Sequence, residues 1–312
     1  MKFSITIPAY KQKFLAEAID SCLAQTYTDF ELIIVNDHSP EDLDAVVNKY
    51  DDPRIRYYVN EKNCGAVDVV DNWNICLSYA KGDYIICMGD DDKLFPCCLE
   101  EYAKIIEQYP GLNVYHARTE IIDDKSEFMD LQEVRPERES VYSIIWHRFK
   151  GRKQYIGDFL FRKDTLRKNG GFYKIPLATF SDDISVVIAA NHDGIANMQS
   201  FGFQYREHPE TISRLNNPRQ IAYSAKAAHE WFKGFLSRET EDACDEKYRQ
   251  LTLAMLPRVF NRWYYGMMEQ DISANPIVAC KYWLKVKDDF GFTKRHIVRL
   301  CIHYMKVKIL KR

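Results

Sequence analysis

Two apolar runs set the tightest limit on what this chain can fold into. Residues 30–37 read FELIIVND and residues 83–89 read DYIICMG. Neither run alternates apolar with polar side chains, so a strand built from either must be covered on both faces. Such strands belong to parallel sheets flanked by helices. The segments around them supply the remaining elements. Residues 3–7 form a short β-branched strand ended by Pro8, and residues 54–60 form another. Residues 14–25 and 67–80 carry apolar side chains at helical spacing, and residues 95–109 read as a helix stopped by Pro110-Gly111. Residues 39–50 open with Ser-Pro-Glu-Asp, which reads as an N-cap on Ser39 followed by a helix. The first 110 residues therefore alternate β and α four times. That pattern predicts an α/β fold with a doubly wound, mostly parallel sheet and flanking helices. Ligands of such sheets bind beyond the carboxyl ends of the strands. Pro8-Ala9-Tyr10, Asn36-Asp37 and Gly89–Asp92 each follow a strand, so they share one rim.

The rest of the chain is organised differently. Residues 112–123 read as a strand, 124–140 as a charged loop, 141–149 as a helix, and 195–205 as strands joined by a turn. Residues 181–191 read as a helix. Beyond about residue 216 the pattern is wholly helical, over 218–237, 243–268, 276–288 and 293–310. The expected division is a domain at 1–215, with halves at about 1–110 and 111–215, and a helical region at 216–312. A net charge of −2 excludes a general nucleic-acid binder. Nine cysteines without a repeating spacing or a CxxC pair argue against a disulfide framework and against zinc, and fit a reducing cytoplasm. The N-terminus is too short and polar for a signal peptide, and no apolar run reaches the roughly 18 residues that span a bilayer.

Five clusters can carry chemistry. Asp90-Asp91-Asp92 either solvates a turn and caps the next helix or waits for a divalent cation, which takes one or two carboxylates together with substrate phosphates. Asp37 either caps the following helix or accepts hydrogen bonds from a base or ribose. Residues 60–74, with Asn63-Cys64-Gly65, are a plain loop or a phosphate-binding helix start. Asp182 and Asp183 open a helix, either complementing its dipole or acting as a general base with a partner. Residues 205–214 place His208 between Arg206 and Arg214, a surface imidazole or a metal and anion site. A parallel sheet with acids on its ligand rim, a later carboxylate pair and a His/Arg loop together describe a site for a metal-bound diphosphate.

The segments ITIPAYKQKFLAEAIDSCLAQTYTDFELIIVNDHSPED, NWNICLSYAKGDYIICMGDDDKLFP, LFRKDTLRKNGGFYKIP and YREHPETIS occur in this order over residues 3–214. Together they resemble family 2 glycosyltransferases of GT-A fold. The resemblance implies that Pro8, Ala9 and Tyr10 line the nucleotide pocket and that Asp37 contacts the base, usually uracil. It implies that Asn63 lies at the nucleotide-sugar site and that Asp90 faces the ribose or sugar. Asp91 would ligate Mn2+ or Mg2+. Asp183 would be the base, with Asp182 beside it, and His208 would touch the metal or diphosphate with Arg206 nearby. Trp73 reads as core. The pattern departs from the family in four places. Gly89 stands where many members have a carboxylate. Tyr10-Lys11 replaces Tyr-Asn. Asn36-Asp37-His38 replaces a run of two acids, and acids replace Ala-Arg-Asn after Asn63.

The implied reaction is inverting transfer from a nucleotide-diphosphate sugar, expected to be UDP-linked, to an acceptor hydroxyl in surface polysaccharide or glycan assembly. The rival readings are a non-catalytic sugar-nucleotide-binding or scaffold protein and a sugar nucleotidyltransferase. The latter usually has a glycine-rich loop after the first strand, and PAYKQKF has no glycine. Residues 293–312 are rich in Lys and Arg and contain no acid. They read either as a basic amphipathic helix lying on an anionic membrane, suited to a lipid-linked saccharide acceptor, or as a packed terminal helix with a solvated face.

Overall fold

A computed structural model describes residues 1–208 and 217–310. The chain divides into two compact units, Met1–Lys174 with Phe180–Thr211 and Ile175–Thr179 with Ile212–Arg312. The boundary expected near 215, and Arg214, lie outside the described residues.

The first unit is built on a ten-stranded sheet. Its strands are β1 (Phe3–Ala9), β2 (Phe30–Asn36), β3 (Ile55–Val59), β4 (Tyr84–Cys87), β5 (Lys93–Leu94), β6 (Val114–Ile122), β7 (Phe128–Leu131), β8 (Arg138–Glu139), β9 (Phe159–Arg162) and β10 (Ile195–Arg206). The order is β3-β2-β1-β4-β9-β6-β10-β5, with β7 on β6 and β8 on β10. The first four strands are mutually parallel. β9 runs against both β4 and β6, and β10 is parallel to β6. β1, β2, β3, β4, β6 and β10 therefore point the same way, and their carboxyl ends form one rim. Every residue of β2 is buried, as its unbroken apolar run requires.

Helices α1 (Leu15–Leu23), α2 (Asp44–Val47), α3 (Val69–Tyr79), α4 (Cys98–Gln108), α5 (Val141–Phe149), α6 (Lys163–Lys168) and α7 (Ser181–Ala190) complete this unit. Three expectations are corrected here. The helix expected over 39–50 shrinks to the four residues of α2, and Ser39 does not cap it. Instead Ser39 Oγ donates to Tyr10 O at 2.5 Å and accepts from Glu41 N at 3.0 Å. Gln12 N donates to Glu41 Oε2 and Gln12 Nε2 to Asp42 O. The capping signature is thus diverted into tying the turn after β2 to the turn after β1. The charged segment 124–140 contains β7 and β8, which sequence periodicity does not reveal because all of β7 is exposed and its pairing with β6 is tertiary. Residues 195–206 form one long strand whose register shifts between Asn197, Phe201 and Phe203, rather than two strands and a turn.

The second unit holds α8 (Pro218–Leu236), α9 (Ala243–Ala274), α10 (Pro276–Lys285) and α11 (Lys294–Leu310). Side chains of Asn217, Asp242 and Asn275 accept from the first free amides of α8, α9 and α10. Trp283 is fully buried, and its indole N–H donates to Asp271 Oδ2 at 2.8 Å. Phe290 and Phe292 pack on its ring. Ile297 and Cys301 of α11 are buried and Tyr304 donates to Glu269, so much of the apolar side of α11 is taken up inside the unit. A short turn at Pro176–Ala178 packs against α8 in this same unit. Leu177, Ala178 and Phe180, all non-glycine, have φ of 64°, 51° and 64°. Left-handed backbone at such residues costs on the order of 1–3 kcal/mol each and persists only where the surroundings impose it.

Candidate active site

The rim at the strand ends is organised by its own carboxylates. β1 and β4 are neighbours, so the turn after Ala9 meets the turn after Cys87. Asp90 Oδ2 accepts from the amides of both Tyr10 and Lys11 at 2.6 Å. Burial, reinforced by the adjacent Asp91 charge, pushes the Asp90 carboxyl up to about 7 despite those two amides. Asp92 turns the other way. Its Oδ2 accepts from Gly89 N at 3.2 Å and its Oδ1 from Arg206 N at 3.0 Å. Burial, with Asp91 next, pushes this carboxyl well above its ordinary range. Asp92 does not cap α4, whose first residue, Cys98, lies six positions on; the turn and β10 have claimed its oxygens.

Asp91 is the member of the triplet left facing the rim. Its Oδ2 lies 2.9 Å from His208 Nε2, just past the end of β10. The Phe14 ring stands edge-on to His208 at 5.3 Å. A carboxylate oxygen and an imidazole nitrogen converging in this way suit Mn2+ or Mg2+, whose remaining positions diphosphate oxygens and water would fill. Among the described residues no group of three or more His, Cys, Asp or Glu is placed to hold a metal ion by itself.

Arg206, expected near His208 at the nucleotide-sugar site, lies against the Asp91 turn. It is fully buried. Its Nε donates to Asp91 O at 2.7 Å, Nη1 to Asp123 O and Ser126 Oγ at 3.0 Å each, and Nη2 to Glu17 Oε2 at 2.8 Å. The guanidinium also lies over the Phe14 ring. Its donors are engaged by protein, so it fixes the Asp91 turn rather than presenting a free cation. Glu17, Phe14 and Ser126 carry no sequence signal for this role, because their shared partner is buried and distant in the chain.

On the β2 side, Asp37 is 7% exposed. Its Oδ1 accepts from Asn60 Nδ2 and Cys64 N, both at 2.9 Å, and its amide donates to Ala9 O. Asn60 also donates to Asn72 on α3. Asp37 thereby holds the 60–64 loop against the rim. Pro8 is half-buried, Ala9 buried and Tyr10 exposed at the β1 end, while Asn63 is exposed on the loop. Trp73 is core, packed edge-on against Phe172. Asn74 bonds the Phe172 backbone.

The acid pair sits at the start of α7. Asp183 Oδ1 accepts from Arg148 Nε at 2.8 Å and Gln154 Nε2 at 2.6 Å. Its Oδ2 is buried without a hydrogen-bond partner. Asp182 is half-buried, and burial with the neighbouring Asp183 raises its carboxyl well above the usual range. Gln154 precedes Tyr155, whose ring stacks on Tyr205 at 3.6 Å, next to Arg206. That stack joins the acid pair to the end of β10. Arg148 lies on α5, the helix expected over 141–149, and Gln154 in the loop after it; nothing in the sequence marks either as a partner of Asp183.

Residues 4–172 match the family described as Glycosyl transferase family 2. The chain belongs to glycosyl transferase family 2. Among relatives of this family-2 chain, an uncharacterized glycosyltransferase of Rickettsia typhi is 29% identical over 170 residues, 51% of each chain. The chain thus matches about half the length of that relative. One from Methanocaldococcus jannaschii is 25% identical over 234 residues, 72% of this chain and 78% of its own. The structure of Staphylococcus aureus TarS 1-349 in complex with UDP-GlcNAc aligns with a TM-score of 0.65 at 16% identity, over 93% of this chain and 89% of that 1-349 chain. A Pyrobaculum calidifontis mannosyltransferase in complex with GDP-Man and Mn2+ aligns with a TM-score of 0.53 at 12% identity, over 98% and 86%. The family-2 chain therefore has the GT-A fold. Its departure at Gly89 has a steric cause: a Cβ there would stand 2.6 Å from Asp91 Oδ1 and 2.9 Å from Asp92 Oδ2. A side chain at Gly89 would have to displace these two carboxylate ends.

Proposed function

We propose that the chain is an inverting glycosyltransferase that moves a sugar from a nucleotide-diphosphate sugar, UDP-linked, to an acceptor hydroxyl. The observation that carries this is the meeting of Asp91 and His208 at the strand-end rim, joined through Tyr205 and Tyr155 to Asp183. Asp37, with Pro8, Ala9, Tyr10 and Asn63, borders the nucleotide, and Asp90 shapes the Tyr10-Lys11 turn beside the ribose. Asp91 and His208 would hold Mn2+ or Mg2+, which when bound would supply positive charge for the departing diphosphate. Arg206 is a positioning residue for Asp91.

Asp183 accepts the acceptor's proton on Oδ2, the oxygen that Arg148 and Gln154 leave unused. Asp182 lies beside it. The acceptor oxygen bonds to the anomeric carbon as the bond from that carbon to the diphosphate oxygen breaks on the opposite face. The acceptor is a saccharide or lipid-linked saccharide of surface glycan assembly. The nine free cysteines fit the reducing cytoplasm, where the donor is made.

A thermal-shift panel of nucleotide sugars, with and without Mn2+, identifies the donor by mass action. With that donor, Asp183→Asn is expected to bind as wild type and transfer no sugar, and Asp91→Ala to lose the metal-dependent part of binding in calorimetry. Wild-type turnover by Asp183→Asn would sink the base assignment. Donor binding without transfer or hydrolysis by the intact chain would favour the non-catalytic reading.

A further inference from the structure

Within the helical unit, α10 and α11 pack against each other, and their outward side chains share an unusual composition. Lys281, Lys285, Lys294, Arg295, Arg299 and Lys306 are all exposed, and none forms an ion pair among the described residues. Asp288 and Asp289 are the only acids from residue 276 to 310. Lys287 pairs with Asp288, and Asp289 accepts from Tyr223. A stretch this basic stands out in a chain whose net charge is −2.

Charge alone describes many solvated helices. The second observation is apolar. Ile277 is 63% exposed, Val278 52% and Ile302 45%. On α10, Ile277, Lys281 and Lys285 recur every fourth residue. On α11, Arg295, Arg299, Ile302 and Lys306 follow the i, i+4, i+7, i+11 pattern of one helix face. The exposed aliphatic side chains therefore stand within the cationic stripes. The buried apolar residues Ile297 and Cys301 are unavailable to such a face.

We propose that the outward face of α10 and α11 docks on an anionic phospholipid surface, with Ile277, Val278 and Ile302 entering the headgroup layer. Basic side chains near an anionic bilayer each contribute through its surface potential, and short apolar insertions add to that attraction. A soluble polyanion would use the cations and leave the aliphatic side chains without a role, which is why lipid is the favoured partner.

Flotation of the full chain with vesicles tests this. Vesicles of phosphatidylcholine mixed with phosphatidylglycerol are expected to carry the protein, and vesicles of phosphatidylcholine alone to leave it behind. Each cation reversed, as in K281E or R299E, should lower partitioning by about fivefold or more. The pair I277S and I302S should lower partitioning several-fold while leaving binding to heparin unchanged. K281R with R299K should retain binding, separating charge from misfolding, and circular dichroism checks each variant's fold. No flotation on the anionic vesicles overturns the proposal. So does wild-type flotation of the serine pair, which would mark the face as a site for soluble polyanions. A shift in oligomeric state on K281E and R299E, with flotation unchanged, would mark it as a contact between copies of this chain and overturn it too.

Discussion

Asp91 Oδ2 and His208 Nε2 meet at 2.9 Å although the two residues stand 117 positions apart in the chain. The contact is made by the sheet: β4 and β10 point the same way, so the residues after them reach the same rim. Nothing local to either residue specifies it. His208→Ala keeps Asp91 and removes the nitrogen. Mn2+ affinity in the presence of UDP is expected to fall by about 10–100-fold, the range seen when even outer-shell partners of metal ligands are removed. Isothermal titration of Mn2+ measures it, and unchanged affinity would remove His208 from the metal site.

Gly89 is expected to resist substitution. Even Gly89→Ala sets a methyl against Asp91 Oδ1 and Asp92 Oδ2, and Asp92 can move only by releasing Gly89 N and Arg206 N. Overpacking of this kind costs about 1–3 kcal/mol. Gly89→Asp, which restores the common family carboxylate, should be worse, because it crowds a fourth carboxyl against three others. Urea unfolding and Mn2+ titration of both variants check the order. A Gly89→Asp protein with stronger metal binding than wild type would refute the steric account.

Arg206 is expected to matter through stability first. Removing a buried, fully bonded guanidinium leaves Glu17 and three backbone or hydroxyl oxygens without their donor, which typically costs about 3–5 kcal/mol. Arg206→Ala should lower the urea midpoint strongly, and Arg206→Lys less. A stable Arg206→Ala chain with weakened donor binding alone would return Arg206 to direct contact with the nucleotide sugar.

Acid should weaken the fold through His116. This histidine is buried, and burial, aided by Arg135, holds its imidazole down at about 4. The folded chain keeps it neutral where the unfolded chain, near 6.5, already binds a proton. The stability it contributes is complete above about 6.5 and is lost as pH falls through that value toward 4. The full swing is roughly 3 kcal/mol. His116→Gln should flatten that part of the stability profile between pH 7 and 4.5. Equal slopes for the two proteins would show that other groups carry the acid sensitivity.

The strand-end carboxylates were legible because a strand's end can be read from its apolar run. Asp37 and Asp91 emerge from that rule, and so does the shared rim. What stayed hidden were bonds between distant segments. Ser39 has the composition of a cap, yet its hydroxyl serves Tyr10. Arg206 has the composition of an anion ligand, yet Glu17 and Ser126 enclose it. Arg148 sits on an expected helix and Gln154 in the loop after it, yet neither position tells that both bond Asp183. β7 and β8 were missed for the same reason: their pairing is imposed by β6 and β10.

The left-handed residues Leu177, Ala178 and Phe180 bear on how this protein can be cut or recombined. Residues 175–179, the lead-in to Asp182 and Asp183, cluster with the helical unit although α7 itself belongs to the other. A fragment ending at residue 208 would retain Pro8, Asp37, Asp91, Asp183 and His208. It would lose α8, against which the 176–178 turn packs. The strained peptide would then be free to relax. The helical region is therefore not an interchangeable module. A chimera that exchanges it for another tail must also carry residues 175–179 across.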